Sequence, residues 1–66
     1  MISKDQIPSL PGKKVKISRT GEVWVIISAR VMRWAGLVAT LQKGEEEKKL
    51  TIHNAVWDNE LGMFVL

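Results

Sequence analysis

The chain has 66 residues with no cysteine, and ten lysines and arginines face seven carboxylates for a formal net charge of +3. A domain of this length buries only about 60% of its unfolded surface, so it holds one core with a thin margin of stability. The missing cysteine excludes disulfides and thiolate zinc sites, which leaves association as the remaining common support for so small a domain.

Met1 to Gly12 contains Pro8 and Pro11 and ends in Pro-Gly, which predicts an extended or turn-rich lead-in over residues 1–12 and one small β domain over 13–66. Asp5, Gln6 and Pro8 interrupt the apolar run a secretory signal needs, so the chain reads as cytoplasmic. Lys14-Val15-Lys16-Ile17-Ser18 alternates with period two, the pattern of a half-buried strand, and Arg19-Thr20-Gly21 reads as a turn. Glu22 to Ala29 is dense in β-branched residues around Trp24, which predicts a central strand buried on both faces.

Arg30 to Trp34 fits no single pattern. Gly36 to Gln42 gives a third strand, with Leu37, Ala39 and Leu41 on one face and Val38 and Thr40 on the other. The charged Lys43 to Lys48 segment, with its glycine, predicts a hairpin loop. Lys49 to Val56 alternates as a fourth strand, Asp58 to Gly62 turns, and Met63 to Leu66 closes the fold. Five such strands joined by short loops predict an all-β architecture, a small five-stranded antiparallel barrel of the SH3-like or OB-like kind.

Val23, Ile27, Val31, Trp34, Val38 and Leu41 also fall at helical spacing, with Thr20 placed to cap a helix ahead of a hairpin wing. The alternative fold is therefore an α+β winged helix. Strands are preferred because a helix here leaves Trp24, Val25 and Ile26 on its wet face, and valine and isoleucine are mediocre helix formers. A membrane span over Val23 to Leu41 is excluded by Arg30 and Arg33, at roughly 2.5–3.5 kcal/mol each on an insertion scale. The run Pro11-Gly12-Lys13-Lys14-Val15-Lys16-Ile17 resembles the opening of KOW and other SH3-like modules, which implies a small barrel. The element order of the helical alternative is similar to the winged DNA-binding domains of phage transposases. Neither resemblance carries a functional residue across.

Catalytic chemistry finds little purchase. His53 has no second histidine or cysteine with which to bind a metal, and Ser9, Ser18 and Ser28 lack a motif around a nucleophile. Glu45, Glu46 and Glu47 are consecutive, so their side chains diverge rather than converge on a cation. The expectation is a protein that is not an enzyme and has no metal or cofactor.

Charge is divided unevenly: residues 1–34 hold seven cations against two carboxylates, and residues 35–66 hold three against five. Lys13, Lys14, Lys16 and Arg19 bracket the first strand, and Arg30 and Arg33 follow with Trp24 and Trp34 nearby in sequence. Cations that follow phosphates and rings that stack bases are the means by which small barrels hold single-stranded nucleic acid. The leading expectation is thus a non-enzymatic nucleic-acid-binding module, DNA or RNA, using Lys13, Lys14, Lys16, Arg19, Arg30, Arg33 and Trp34. The alternative is a protein-interaction or assembly subunit that self-associates as a homo-oligomer through apolar strand surfaces. In that reading Ile2, Ile7 and Leu10 of the lead-in compete with a second copy to cover the central strand.

Overall fold

Alternation of polar and apolar residues becomes strand pairing along most of the chain. The computed structural model describes Ile2 and residues 4–66, and Met1 and Ser3 of the expected lead-in lie outside the described residues. A 3-10 helix, Lys4–Ser9, precedes six strands: β1 Lys14–Ile17, β2 Glu22–Met32, β3 Gly36–Lys43, β4 Glu46–Thr51, β5 Val56–Asp58 and β6 Met63–Val65. They form one sheet in the order β4-β3-β2-β1-β6-β5, with β1 and β6 parallel and the remaining pairs antiparallel.

The all-β class holds, and the five-stranded antiparallel barrel is corrected. The sheet has six strands, one parallel pair, and two edges that are not joined to each other. The expected fourth strand is broken, because β4 stops at Thr51 and residues 52–55 turn, with Ala55 N donating to Ile52 O at 2.9 Å. Its last residue, Val56, begins a separate edge strand. The loop expected over Lys43 to Lys48 shrinks to Gly44-Glu45, since Lys43 already pairs with Glu46. The winged-helix alternative is also corrected: residues 22–32 are one continuous strand, and the β-branched bulk that makes a poor helix packs well on a pleated sheet.

The central strand changes face halfway along. Ile26 pairs with Leu41 and Ser28 with Thr40, so Ile27 is the extra residue of a β-bulge. Residues directly opposite in a ladder share a face. Trp24 and Ile26 therefore face inward before the bulge and Ala29 after it, where Ala29 lies opposite the buried Ala39. Ser28 and Arg30 are turned outward. This overturns the expectation that β2 is buried on both faces: Val23 and Val25 are 38% exposed and Ile27 40%.

The core lies on the inner face, where Val15, Trp24, Ile26, Ala39, Leu41 and Phe64 meet Ile52 and Ala55 from the β4–β5 turn. Ile2 and Leu10 are buried in it and Ile7 packs against it, so the lead-in is an integral cover for this face. Two hydrogen bonds of 2.8 Å, Gly12 N to Ile26 O and Ile26 N to Lys13 O, tie that cover to β2. At the open end of the core Lys48 Nζ sits 4.4 Å from the Trp24 ring centroid, and Lys43 Nζ donates to Glu22 Oε2 at 2.9 Å. The hydrogen bond from Lys43 holds the Glu22 carboxyl below its ordinary range, and the same bond raises Lys43. Both groups are solvent-accessible, so the pair adds little to stability.

Candidate nucleic-acid interface

The outer face of the sheet is built by the same ladder that buries the inner one. Lys14 and Lys16 lie opposite Val25 and Val23, so both lysines project outward beside β2. Past the bulge the outward rows are Ser28, Thr40 and Lys49, then Arg30, Val38 and Thr51. Between these rows lies a depression of about 310 Å³ lined by Ser28, Ala29, Arg30, Met32, Val38, Thr40 and Lys49. Two cations and two hydroxyls around an apolar floor can receive an anion that carries an organic group.

The β2–β3 turn adjoins this depression through Met32. Arg33, Trp34 and Ala35 form the turn, and Gly36 closes it at φ +76°, a left-handed conformation that favours glycine. A Cβ at Gly36 would meet His53 Nδ1 at 3.5 Å, which places the imidazole against the base of the turn. Trp34 is 91% exposed, and the Arg33 guanidinium carbon lies 5.4 Å from its ring centroid. An indole held this far into solvent leaves a ring face free for stacking, with a cation already beside it.

The expected site residues are thus only partly brought together. Lys14, Lys16 and Arg30 share the outer face, and Arg33 and Trp34 extend it at one end. Arg19 lies in the β1–β2 turn, at the other end of β2 from Trp34. Lys13 belongs elsewhere: its Nζ is 5.5 Å from the ring centroid of Trp57, beside the lead-in helix. Trp24, read as a neighbour of the basic residues, is 2% exposed and belongs to the core. Lys49, Ser28 and Thr40 were missed. Lys49 could have been found from the alternation of Lys49 and Thr51 against the inward Leu50 and Ile52, whereas Ser28 was hidden because no local pattern marks the bulge.

Among the described residues no three histidine, cysteine or acidic side chains converge as metal ligands. Among the same described residues, no helix is long and apolar enough to cross a membrane. Compared with known protein families, curated proteins and solved structures, the chain matches none.

Proposed function

We propose that this protein is a non-enzymatic module that binds single-stranded nucleic acid, with a base stacked on Trp34 and the sugar-phosphate chain laid along the outer face of β2. The observation that carries the reading is Trp34 itself, 91% exposed in a tight turn and flanked by Arg33. Exposing so large an apolar ring gains nothing for folding, and stacking is what an accessible indole beside a cation does best. Further down the hairpin, from its third residue pair onward, Arg30 and Lys49 flank a depression sized for a phosphate and its sugar, with the Ser28 and Thr40 hydroxyls available as further donors. Lys16 and Lys14 continue the cationic line along β1. Side chains on one face of a strand recur every 6–7 Å or so, comparable with the phosphate repeat of an extended single strand. A duplex, whose bases are already stacked, offers Trp34 only its ends. The cysteine-free composition suits the reducing cytoplasm as the setting.

A fluorescence-anisotropy titration of a labelled single-stranded dodecamer tests this. Contacts from Lys14, Lys16, Arg30, Arg33 and Lys49 give a log-log salt slope of roughly −3 to −3.5, at about 0.7 per neutralised phosphate. No binding at low salt, or equal binding to duplex and single strand, overturns the proposal.

A further inference from the structure

β4 is the longer of the two sheet edges, six residues against three in β5, and neither proline nor bulge interrupts it. Its even-numbered residues turn their backbone groups toward β3, as Ile52 N shows just past the strand by donating to Leu37 O at 2.9 Å. Alternation then leaves the N–H and C=O groups of Glu47, Lys49 and Thr51 pointing away from the sheet. No strand among the described residues pairs with them there. Charge often blunts such an edge. The charges of β4 are, however, sorted: Glu45, Glu46 and Glu47 come first, Lys48 and Lys49 after them. An edge ordered in this way repels a parallel copy of itself and attracts an antiparallel one.

We infer that two copies of the chain join antiparallel through β4, about a two-fold axis perpendicular to the sheet. Such an axis keeps like faces on the same side, and residues directly opposite share a face, so the axis must pass at a residue and not between two. These registers also let Glu47 and Lys49 exchange backbone hydrogen bonds with the second copy. Charge selects among them. With Glu47 at the axis, Glu46 lies opposite Lys48 of the second copy and Glu45 opposite its Lys49, and each contact occurs twice. The one like-charged opposition is Glu47 against itself, and each of those carboxylates has Lys49 of the other copy on its diagonal. Moving the axis to Lys48 sets that lysine against itself and Glu46 against Leu50. Moving it to Glu46 sets glutamate against glutamate three times. Lys48 is also placed in advance, half-buried with its Nζ held over the Trp24 ring. The contact is isologous and closes as a pair, in which two six-stranded sheets run together with both outer faces on one side. The inference does not rest on the nucleic-acid reading, and Lys49 is the one residue the two share.

Sedimentation equilibrium without any oligonucleotide, at about 0.05 M salt and from about 10 μM to about 1 mM protein, tests it over the range expected of a small interface. The wild-type weight-average mass is expected to rise from the 7.4 kDa of one chain toward twice that value and level off there. Glu46→Lys and Lys48→Glu should each remain single chains, because each sets like charges opposite one another at two places. An equimolar mixture of the two should pair, and so should the double variant Glu46→Lys/Lys48→Glu, since both restore every opposition. Neither change touches Lys49, so oligonucleotide binding is left as a separate readout. The amide protons of Glu47 and Lys49 should exchange more slowly in the concentrated wild-type protein than in the dilute one. If Lys48→Glu unfolds through loss of its contact with Trp24, the exposed Glu46→Lys and those two amides still decide. Wild type that stays at 7.4 kDa up to about 1 mM overturns the inference. So does a mass that passes two chains, or Glu47 and Lys49 amides that exchange alike at both concentrations. Assembly that survives Glu46→Lys runs through β5 or the valine-bearing outer face instead, and overturns it as well.

Discussion

Replacing Trp34 by alanine separates the two things a tryptophan can do. The side chain is 91% exposed, so the substitution removes almost no buried area, and stability should move by no more than about 0.5 kcal/mol. The same change removes the platform for a stacked base, a contact of about 1–3 kcal/mol. Each 1.4 kcal/mol or so is tenfold, so the dissociation constant for a single-stranded oligonucleotide should rise by roughly 5- to 150-fold. Urea melts read the first quantity, and anisotropy of a labelled oligonucleotide, with protein titrated through the dissociation constant, reads the second. Trp34→Phe should recover much of the affinity, since the ring face is what is used. Unchanged affinity in a fully folded Trp34→Ala protein refutes the stacking role, and a loss of several kcal/mol in stability refutes the placement of Trp34 outside the core.

Further expectations concern the neighbours of that turn and the core beneath it. Lys49→Gln and Arg30→Gln should each flatten the salt slope by about 0.7, because each removes one phosphate contact, and should leave the melt unchanged. Trp24→Ala should cost about 3–5 kcal/mol as a large core truncation. A domain of 66 residues has only about 3–10 kcal/mol in total, so this variant should be largely unfolded by circular dichroism. Glu22 is held below its ordinary range by Lys43, so its small contribution to stability is present above the unfolded carboxylate pKa and is lost as pH falls through the folded one. Glu22→Gln should remove that acid-side dependence and little else, as read by urea melts across the acid range. Gly36→Ala places a side chain at φ +76° and should cost about 1–2 kcal/mol from backbone strain, since the space beside His53 is adequate.

Where the sequence alternates without interruption, strand and face were both legible. Val15 and Ile17 face in while Lys14 and Lys16 face out, and Leu37, Ala39 and Leu41 form one buried row. The density of valine and isoleucine identified β2 as the central strand, but not its two characters, because the extra residue at the bulge is defined by pairing with β3 rather than by any local property. Val56-Trp57-Asp58 is too short and too close to turn residues to announce itself as a strand, and it exists because Phe64 supplies a ladder and a ring for Trp57 to meet. The parallel pairing of β1 with β6 was invisible for the same reason: it joins segments almost fifty residues apart, and its register, Val15 with Phe64, depends on the whole fold between them. At the site, cationic residues were readable as a population. Which of them face the same way had to come from the ladder.

The bulge at Ile27 also bears on how the sheet finds its alignment. A uniformly alternating strand can slide along its neighbour and settle in a wrong pairing that still buries a plausible set of side chains. β2 cannot do this against β3, because its inward residues fall at 24 and 26 and then at 29, an odd step that only a pairing with one residue looped out can satisfy. Zippering straight through from Ile26 would carry Ser28 and Arg30 into the core, and an unpaired buried arginine costs several kcal/mol. Zippering straight back from Ala29 would push Trp24 and Ile26 into water. The hairpin that joins β2 to β3 by a three-residue turn is a local pairing of seven residue pairs, so it is one natural place for folding to begin. Its sequence offers that first step a single alignment, and the other strands are then added to a template whose frame has already been decided.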